Sequence, residues 1–157
     1  MKVLVISDTH GNIDAIKTII EAERKFDYLL HCGDGINDLM YVSVPEGVFV
    51  ITVCGNIDRA RGINEKSTIV ETIGNFKFFI THGDVYGAHH DITGVWIEAK
   101  RSGCDIACFG HTHKPCNTNG SPMMFNPGAA QSGFYGIIES GDSLKAVLKR
   151  IQRIQRI

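Results

Sequence analysis

Five short apolar segments of this 157-residue chain end in the same way, with a glycine beside a side chain that can bind a metal. Each segment has the length and composition of a buried β-strand. The endings are Asp8-Thr9-His10-Gly11, Gly33-Asp34, Gly55-Asn56, His82-Gly83 and Gly110-His111-Thr112-His113. In open α/β sheets the ligand cleft lies beyond the carboxyl ends of the strands, so all five endings can meet in one cleft.

The first ending can direct two donors to the same side of the chain. Strand side chains alternate between faces, so Asp8 and His10 can point the same way, and Gly11 lets the chain turn sharply after them. Polar residues that merely cap a strand are the alternative, because a single Asp-x-His triplet is common by chance. Agreement across five endings favours a site that collects seven donors: Asp8, His10, Asp34, Asn56, His82, His111 and His113.

Length, charge and cysteine usage restrict the class of protein. The chain is predicted to form one domain over residues 1–157, since its length suits a single core. Its formal net charge of -1 predicts no nucleic-acid-binding surface. No stretch predicts a membrane span or a signal peptide, so a cytoplasmic location without a membrane partner is expected. The five cysteines lack Cys-x-x-Cys spacing, which favours reduced thiols over disulfides or a thiolate metal site.

Strands and helices alternate in the first half of the chain, whereas the second half is rich in strands. Strands are predicted at 3–6, 28–32, 48–54, 67–72, 76–81, 105–109, 123–125, 134–139 and 143–148. Helices are predicted at 12–24, capped by Asn12, at 36–40 and at 92–102, with a loop after Gly55-Asn56. This order predicts two mixed sheets packed together with helices outside. Residues 150–157 form a low-complexity tail that could extend a strand, fray or support a homo-oligomer.

Seven donors are too many for one transition-metal site. Two divalent ions about 3.5–4 Å apart that share a carboxylate would use them well. The mixture of carboxylate, amide and imidazole groups suits borderline ions. Manganese is the leading candidate, and nickel, iron, cobalt and zinc are the others.

The order of these motifs resembles that of the small calcineurin-like metallophosphoesterases, and especially the compact YfcE-type phosphodiesterases. The matching pattern is D-x-H, GD, GN, H and G-H-x-H, followed by Asn126-Pro127-Gly128, and it covers nearly the whole chain. The resemblance implies an α/β fold, a four-layer α/β/β/α sandwich of two mixed sheets. It also implies a ligand set, with Asp8, His10 and His113 on one metal, Asn56, His82 and His111 on the other, and Asp34 bridging the two.

The implied reaction is dinuclear metal-dependent hydrolysis of a small phosphodiester, in which a hydroxide that bridges the two ions attacks phosphorus. Asp34, Asn56 and His10 are the predicted catalytic residues, and His10 could instead hold a proton near the leaving group. The predicted substrate-binding residues are Asn56, Arg59 and Asn12. A solvated surface position is the alternative for Arg59, and helix capping is the alternative for Asn12.

The residue after Gly55-Asn56 departs from the family pattern. Many relatives carry a histidine there as the general acid for the leaving group, and some small members carry a cysteine. Ile57 cannot donate a proton, and such help is typically worth about a hundredfold to ten-thousandfold. Slow turnover of substrates with alkoxide leaving groups is therefore expected, unless Asp58 or another histidine supplies the proton.

Several further polar residues admit two interpretations. His89, His90 and Asp91 either line the cleft or cap a helix, and Asp84 stands where several relatives have a second histidine. His31 is predicted to be a hydrogen-bonded core residue, whereas Asp14 and Asp38 are predicted to be polar residues of helical turns.

Two other functions use the same fold. The retromer scaffold subunit shares it and has lost parts of the metal site, whereas a phosphomonoesterase or nucleotidase would differ only in its pocket. Seven competent donor positions favour an enzyme over the scaffold.

Overall fold

The computed structural model describes residues 1–152, which build ten strands and three α-helices. The strands are β1 (Lys2–Ile6), β2 (Tyr28–His31), β3 (Phe49–Thr52), β4 (Thr68–Ile73), β5 (Phe76–Thr81), β6 (Ile106–Cys108), β7 (Cys116–Asn117), β8 (Met123–Asn126), β9 (Phe134–Ser140) and β10 (Leu144–Arg150). The helices are α1 (Ile13–Glu23), α2 (Asn56–Ala60) and α3 (Thr93–Arg101), and short 3-10 helices cover Ile36–Tyr41, Asp84–Tyr86 and Ala130–Ser132.

The strands form two mixed five-stranded sheets. The first has the order β10-β9-β1-β2-β3, in which β1, β2 and β3 run parallel and β9 and β10 run antiparallel. The second has the order β4-β5-β6-β8-β7, with β5, β6 and β8 parallel. Both sheets therefore present a row of parallel carboxyl ends, as the strand endings in the sequence predict.

Three apolar clusters separate four layers. The central cluster lies between the sheets and joins Val5 of β1 to Phe78 of β5 and Phe125 of β8. The second packs the α1 residues Ile16, Ile19 and Ile20 on the outer face of the first sheet, and the third packs the α3 residues Val95 and Ala99 on the second sheet. The predicted α/β/β/α sandwich is confirmed.

The chain differs from the sequence prediction in two elements near the site. The predicted loop after Gly55 is wrong, because residues Asn56–Ala60 form α2. The Asp58 carboxylate accepts the Gly55 N–H at 2.9 Å, and this cap stabilises a helix too short to show apolar periodicity. The two-residue strand β7 was also missed, since so short a segment carries no alternation.

The part of the chain that the structure describes begins and ends next to the first sheet, at β1 and β10. The N–H of Ile151 donates to the Gly133 carbonyl at 2.9 Å, and the rest of the predicted tail, residues 153–157, lies outside the described residues. Across residues 1–152 no helix is both long and apolar enough to cross a membrane.

Glu23 ties the end of α1 to the first sheet. Its buried carboxylate accepts hydrogen bonds from Lys2 Nζ at 2.9 Å, Lys149 Nζ at 2.7 Å and the Tyr135 hydroxyl at 2.8 Å. Burial acts to raise the pKa of this carboxyl, but the three donors outweigh burial and lower the pKa to about 2.

We expect Glu23→Gln to lower the free energy of unfolding by about 2 kcal/mol at pH 7, because charged hydrogen bonds are lost. The folded pKa lies below the unfolded value of 4.5, so the stabilisation is present above pH 4.5 and is lost as pH falls towards 2. Urea denaturation between pH 7 and pH 3 should show the difference from wild type shrinking. Glu21→Gln, on the exposed side of α1, is the matched control. A difference that stays constant over this pH range would contradict the assignment.

Candidate metal centre

The predicted donors at the strand ends form two adjoining clusters. The first contains Asp8, His10 and His113. Asp8 Oδ1 lies 3.5 Å from His10 Nε2 and 3.1 Å from His113 Nε2, and the two nitrogens are 3.4 Å apart. Two ligands bonded to one ion at about 2.1 Å lie about 3.0–3.4 Å apart at ordinary coordination angles. The triangle therefore has the size that a single divalent ion requires.

The second cluster contains Asp34, His82 and His111. His82 Nε2 lies 3.2 Å from Asp34 Oδ2 and 3.2 Å from His111 Nδ1. The same nitrogen is 4.0 Å from Asp8 Oδ1, so the two clusters adjoin. Asn56 lies beside the second cluster, since the N–H of the next residue, Ile57, donates to Asp34 Oδ1 at 2.9 Å.

The tautomer of His82 follows from its partner. His82 Nδ1 lies 2.7 Å from the carbonyl oxygen of Cys32, and a carbonyl can only accept. Nδ1 therefore carries the proton, and the lone pair of Nε2 faces the cluster. This arrangement is typical of a histidine that binds a metal.

Two buried oxygens at the centre have no hydrogen-bonding partner among residues 1–152. They are Asp8 Oδ1 and Asn56 Oδ1. The other oxygen of Asp8 is satisfied, because it accepts from the Ser7 hydroxyl at 2.7 Å and from the His111 N–H at 3.1 Å. An unpartnered buried acceptor is costly, and a bound cation removes that cost. The donor set therefore fits divalent metal ions.

The carboxylates and imidazole rings of the two clusters shift one another's pKa values. Burial acts to raise the pKa of Asp8, but the adjacent His10 ring, the nearby His82 and His113 rings and the Ser7 hydroxyl outweigh burial, and the pKa is lowered. Burial acts to lower the pKa of His82, but the Asp34 and Asp8 carboxylates outweigh it, and the pKa is raised. The centre thus concentrates negative charge that attracts cations.

The backbone at the donors is held in an uncommon conformation. Positive φ occurs at six non-glycine residues of the described chain, and five of them are predicted donors: Asp8, His10, Asp34, His111 and His113. Such conformations cost about 1–3 kcal/mol each and persist only where the surroundings enforce them. The loops after β1, β2 and β6 therefore need strong local restraints.

Asp58 supplies the restraint for the loop after β2. Its carboxylate accepts four backbone N–H groups, from Asp34 at 2.7 Å, Gly35 at 2.8 Å, Ile36 at 3.2 Å and Gly55 at 2.9 Å. The side chain is 1% exposed and points away from solvent. The suggestion that Asp58 supplies a proton to the leaving group is therefore wrong, because both oxygens are occupied as acceptors.

A second buried network restrains the loop after β1. His31 Nδ1 accepts the Gly33 N–H at 3.2 Å, so its Nε2 carries the proton and donates to Thr9 Oγ1 at 3.1 Å. Thr9 Oγ1 in turn lies 2.6 Å from Asp38 Oδ2, which also accepts the Gly11 N–H at 2.8 Å. Burial lowers the pKa of His31 to about 4, so the ring is neutral. The prediction for His31 is confirmed. Asp38 lies in the first turn of the 3-10 helix Ile36–Tyr41, as predicted, and it is buried there as a residue that braces the loop.

The Gly110–His113 loop is restrained from two sides. Asn126 Nδ2 donates to the Gly110 carbonyl at 3.0 Å and to Thr112 Oγ1 at 3.0 Å, which gives the Asn126-Pro127-Gly128 turn its structural role. A Cβ atom on Gly110 would clash with the Ser7 hydroxyl and the Asp8 carboxylate. Only glycine permits this close approach.

Two predicted substrate-binding residues, Asn12 and Arg59, are engaged in hydrogen bonds within the protein. Asn12 caps α1, as the alternative predicts, because its Oδ1 accepts the Ala15 N–H at 3.1 Å. Arg59 Nη1 donates to the Cys54 carbonyl and to Ser67 Oγ, each at 3.1 Å, and its Nη2 pairs with Asp84.

The polar residues before α3 divide between the two interpretations. The Asp91 carboxylate accepts the N–H of Thr93, the first residue of α3, at 2.8 Å. The His89 ring centroid lies 5.8 Å from that of His111, at the edge of the second cluster.

Sequence inspection missed the residues that brace the donors. Asp58 stands three residues after Gly55, where an acidic side chain can accept the N–H at the start of a helix, so Asp58 carried a detectable signal. Nothing in the sequence around Thr9 and Asp38 shows that they meet, because their contact depends on the packing of two loops.

Comparison with known proteins places the chain in a family. A family model described as a calcineurin-like phosphoesterase superfamily domain matches residues 1–151. The chain is 33% identical over 132 residues to the probable metallophosphoesterase YsnB of Bacillus subtilis, covering 82% of this chain and 75% of that protein. It is 31% identical over 155 residues to the phosphodiesterase MJ0936 of Methanocaldococcus jannaschii, covering 87% and 89%. It is 26% identical over 153 residues to the phosphodiesterase YfcE of Escherichia coli, covering 82% and 79%.

Solved structures share the fold at lower sequence identity. A predicted phosphoesterase from Streptococcus pneumoniae superposes with a TM-score of 0.75 at 21% identity, covering 95% of this chain and 88% of that chain. A single mutant of Vps29 from Entamoeba histolytica superposes with a TM-score of 0.70 at 23% identity, covering 97% and 100%. With the family model matching nearly the whole described chain, this protein belongs to the calcineurin-like phosphoesterase superfamily.

Proposed function

We propose that the chain is a dinuclear metal-dependent phosphodiesterase acting on a small substrate. The observation that carries the proposal is the pair of adjoining donor clusters, with two oxygens buried without a partner among residues 1–152. Asp8 Oδ1 belongs to the first cluster and Asn56 Oδ1 lies beside the second. Such a site suits cations, because buried acceptors without a partner would only destabilise a protein with a purely structural role. The names of relatives such as MJ0936 and YfcE support phosphodiester hydrolysis.

Seven residues would hold the two ions. Asp8, His10 and His113 would hold one, Asn56, His82 and His111 would hold the other, and Asp34 would lie between them. Two divalent ions supply an acidified water as nucleophile and offset the charge that develops on the phosphate. Manganese is the first candidate, followed by nickel, iron, cobalt and zinc, because the donors mix oxygen with imidazole nitrogen.

The protein's own contribution is to keep the donors rigid. The Asp34 carboxylate is fixed by the Ile57 N–H at Oδ1, and its Oδ2 is directed towards His82 Nε2. Asn56 begins α2, whose start is held by Asp58, so its amide oxygen has a defined direction. Donors that need no rearrangement during reaction contribute most to stabilising a transition state.

A diester suits the charge balance beside the centre better than a monoester. Arg59 is the cation that a dianionic monoester would use, but its guanidinium already pairs with Asp84. A diester carries one negative charge less and needs less cationic compensation. His10 remains a candidate for holding a proton near the leaving group, because its side chain is 23% exposed at the mouth of the site.

We expect Asp8→Asn to lower metal occupancy and activity together, each by about a hundredfold in affinity or rate, because a neutral amide replaces a buried anionic ligand. Elemental analysis after loading with manganese, combined with hydrolysis of bis-p-nitrophenyl phosphate, measures both. Asp14→Asn, on the exposed side of α1, is the control and should retain both properties. An unchanged rate in Asp8→Asn would sink the ligand assignment.

The scaffold alternative has a distinct outcome in the same assay. Wild-type protein that binds manganese or nickel but hydrolyses neither diesters nor monoesters would favour a Vps29-like binding module. Faster hydrolysis of p-nitrophenyl phosphate than of the diester would favour a phosphomonoesterase.

We expect the rate to depend steeply on the leaving group, because Ile57 stands at the general-acid position and Asp58 has no free oxygen. Ile57→His should raise kcat on an alkyl diester by about tenfold or more and leave an aryl diester nearly unchanged. Ile57→Val controls for altered packing. Comparable wild-type rates on aryl and alkyl diesters would contradict this prediction.

A further inference from the structure

Arg59 joins three separate points beside the second donor cluster. Its Nη1 donates to the Cys54 carbonyl after β3 and to Ser67 Oγ before β4, each at 3.1 Å. Its Nη2 pairs with the carboxylate of Asp84, which follows β5. Because β3 belongs to the first sheet whereas β4 and β5 belong to the second, this side chain connects the two sheets. We call the Arg59–Asp84 ion pair the clasp.

Each partner of the clasp stands close in the chain to a donor of the second metal ion. Arg59 lies three residues after Asn56, in the same short helix α2. Asp84 lies two residues after His82 and begins the 3-10 helix Asp84–Tyr86. A shift of either partner therefore reaches a donor through a very short stretch of chain.

The Asp84 carboxylate depends on the clasp for compensation of its charge. Its side chain is 12% exposed, and its Oδ1 is buried without a hydrogen-bonding partner among residues 1–152. The Arg59 guanidinium is therefore the group that balances this carboxylate. Removing one member of a partly buried ion pair is destabilising, because the other member is left as an uncompensated charge.

Hydroxyl groups hold the part of the second sheet that the Arg59 guanidinium contacts. The Tyr86 hydroxyl lies 3.0 Å from Thr68 Oγ1, and Thr81 Oγ1 donates to the Ser67 carbonyl at 2.9 Å. These contacts join the loop after β5 to the start of β4. The clasp therefore connects helix α2 to a region with a defined position.

The first donor cluster is joined across the fold by other bonds. The N–H groups of Ala130 and Gln131 donate to the carbonyls of Ser7 and Asp8 at 2.8 Å and 3.1 Å. The His111 N–H donates to Asp8 Oδ2 at 3.1 Å. Backbone N–H groups thus hold the loop that carries Asp8, and none of them belongs to the clasp.

Side chains make the corresponding connection at the second cluster. The His82 ring donates from Nδ1 to the Cys32 carbonyl of the first sheet's side at 2.7 Å, and the clasp ties the next residues of the chain to α2. Loss of the clasp should therefore loosen the second cluster and leave the first in place.

We propose that the clasp positions Asn56 and His82 for the second metal ion, so that it controls the affinity for this ion and not for the first. The proposal rests on the dinuclear centre of the proposed function. Arg59 and Asp84 are positioning residues that bind neither ion. Replacing groups that orient metal ligands typically lowers metal affinity by about tenfold to a hundredfold.

The test follows the release of zinc from the fully loaded protein as a chelator is added. Wild type should release two ions. Arg59→Gln and Asp84→Asn should each weaken the binding of one ion by about tenfold and leave the other unchanged. The weakened ion should be the one whose release shifts the NMR resonances of the His82 and His111 rings.

A matched control removes an ion pair that lies away from the centre. Glu98→Gln breaks the exposed Arg101–Glu98 pair of α3 and should release both ions as wild type does.

The two single variants separate positioning from a simple effect of charge. Loss of Arg59 removes a cation from the neighbourhood of the centre, whereas loss of Asp84 removes an anion, so charge alone would change the affinity in opposite directions. Positioning predicts weaker binding of the second ion in both variants. Opposite changes would overturn the proposal.

The double variant Arg59→Gln/Asp84→Asn leaves no uncompensated charge and so tests the clasp even where a single variant unfolds. It should weaken the second ion by about tenfold, no more than either single variant, because all three remove the same interaction. Wild-type affinity in the double variant would contradict the proposal.

The failures of the two proposals are distinguishable. Wild type that binds a single zinc ion would overturn the dinuclear centre, and the clasp proposal that rests on it would fail too. If wild type binds two ions, variants that release both as wild type does, or that weaken both equally, would overturn the clasp proposal alone.

Discussion

The buried carboxylate of Asp58 is the interaction on which the metal centre depends. It accepts four backbone N–H groups from two loops that belong to different parallel strands of the first sheet. A buried charge is tolerated only when donors replace its hydration, and here the backbone supplies them all. The same bonds hold Asp34 in a left-handed conformation and start the helix that presents Asn56. One side chain therefore sets the relative position of two donors.

The other donors are restrained in an equivalent way by groups that do not themselves face the clusters. Asp38 and Thr9 brace the turn through Gly11, and Asn126 braces the Gly110–His113 loop. Positive φ at five donors would relax in an isolated loop, because each costs about 1–3 kcal/mol. Packing between the two sheets fixes these loops from below, so the strain persists and the donors converge without rearrangement.

Much of the fold and the donor set was predictable because both depend on local patterns. Apolar runs of strand length and the Asn12 cap appear in the structure as β-strands and as the start of α1. Helix α2 and strand β7 were missed, since neither is long enough to show a period. The interpretation of Asp58 as a proton donor failed because three of the N–H groups that its oxygens accept belong to the loop after β2, which the local spacing does not show.

The sequence by itself determined which side chains can bind a metal and that they follow the strands, because strand ends and glycine turns are local features. It also determined the absence of a proton donor at Ile57. Tertiary structure alone decided which donors share a cluster and how Arg59 is engaged by Asp84. These outcomes depend on the stacking of two sheets, which brings together residues that no sequence spacing relates.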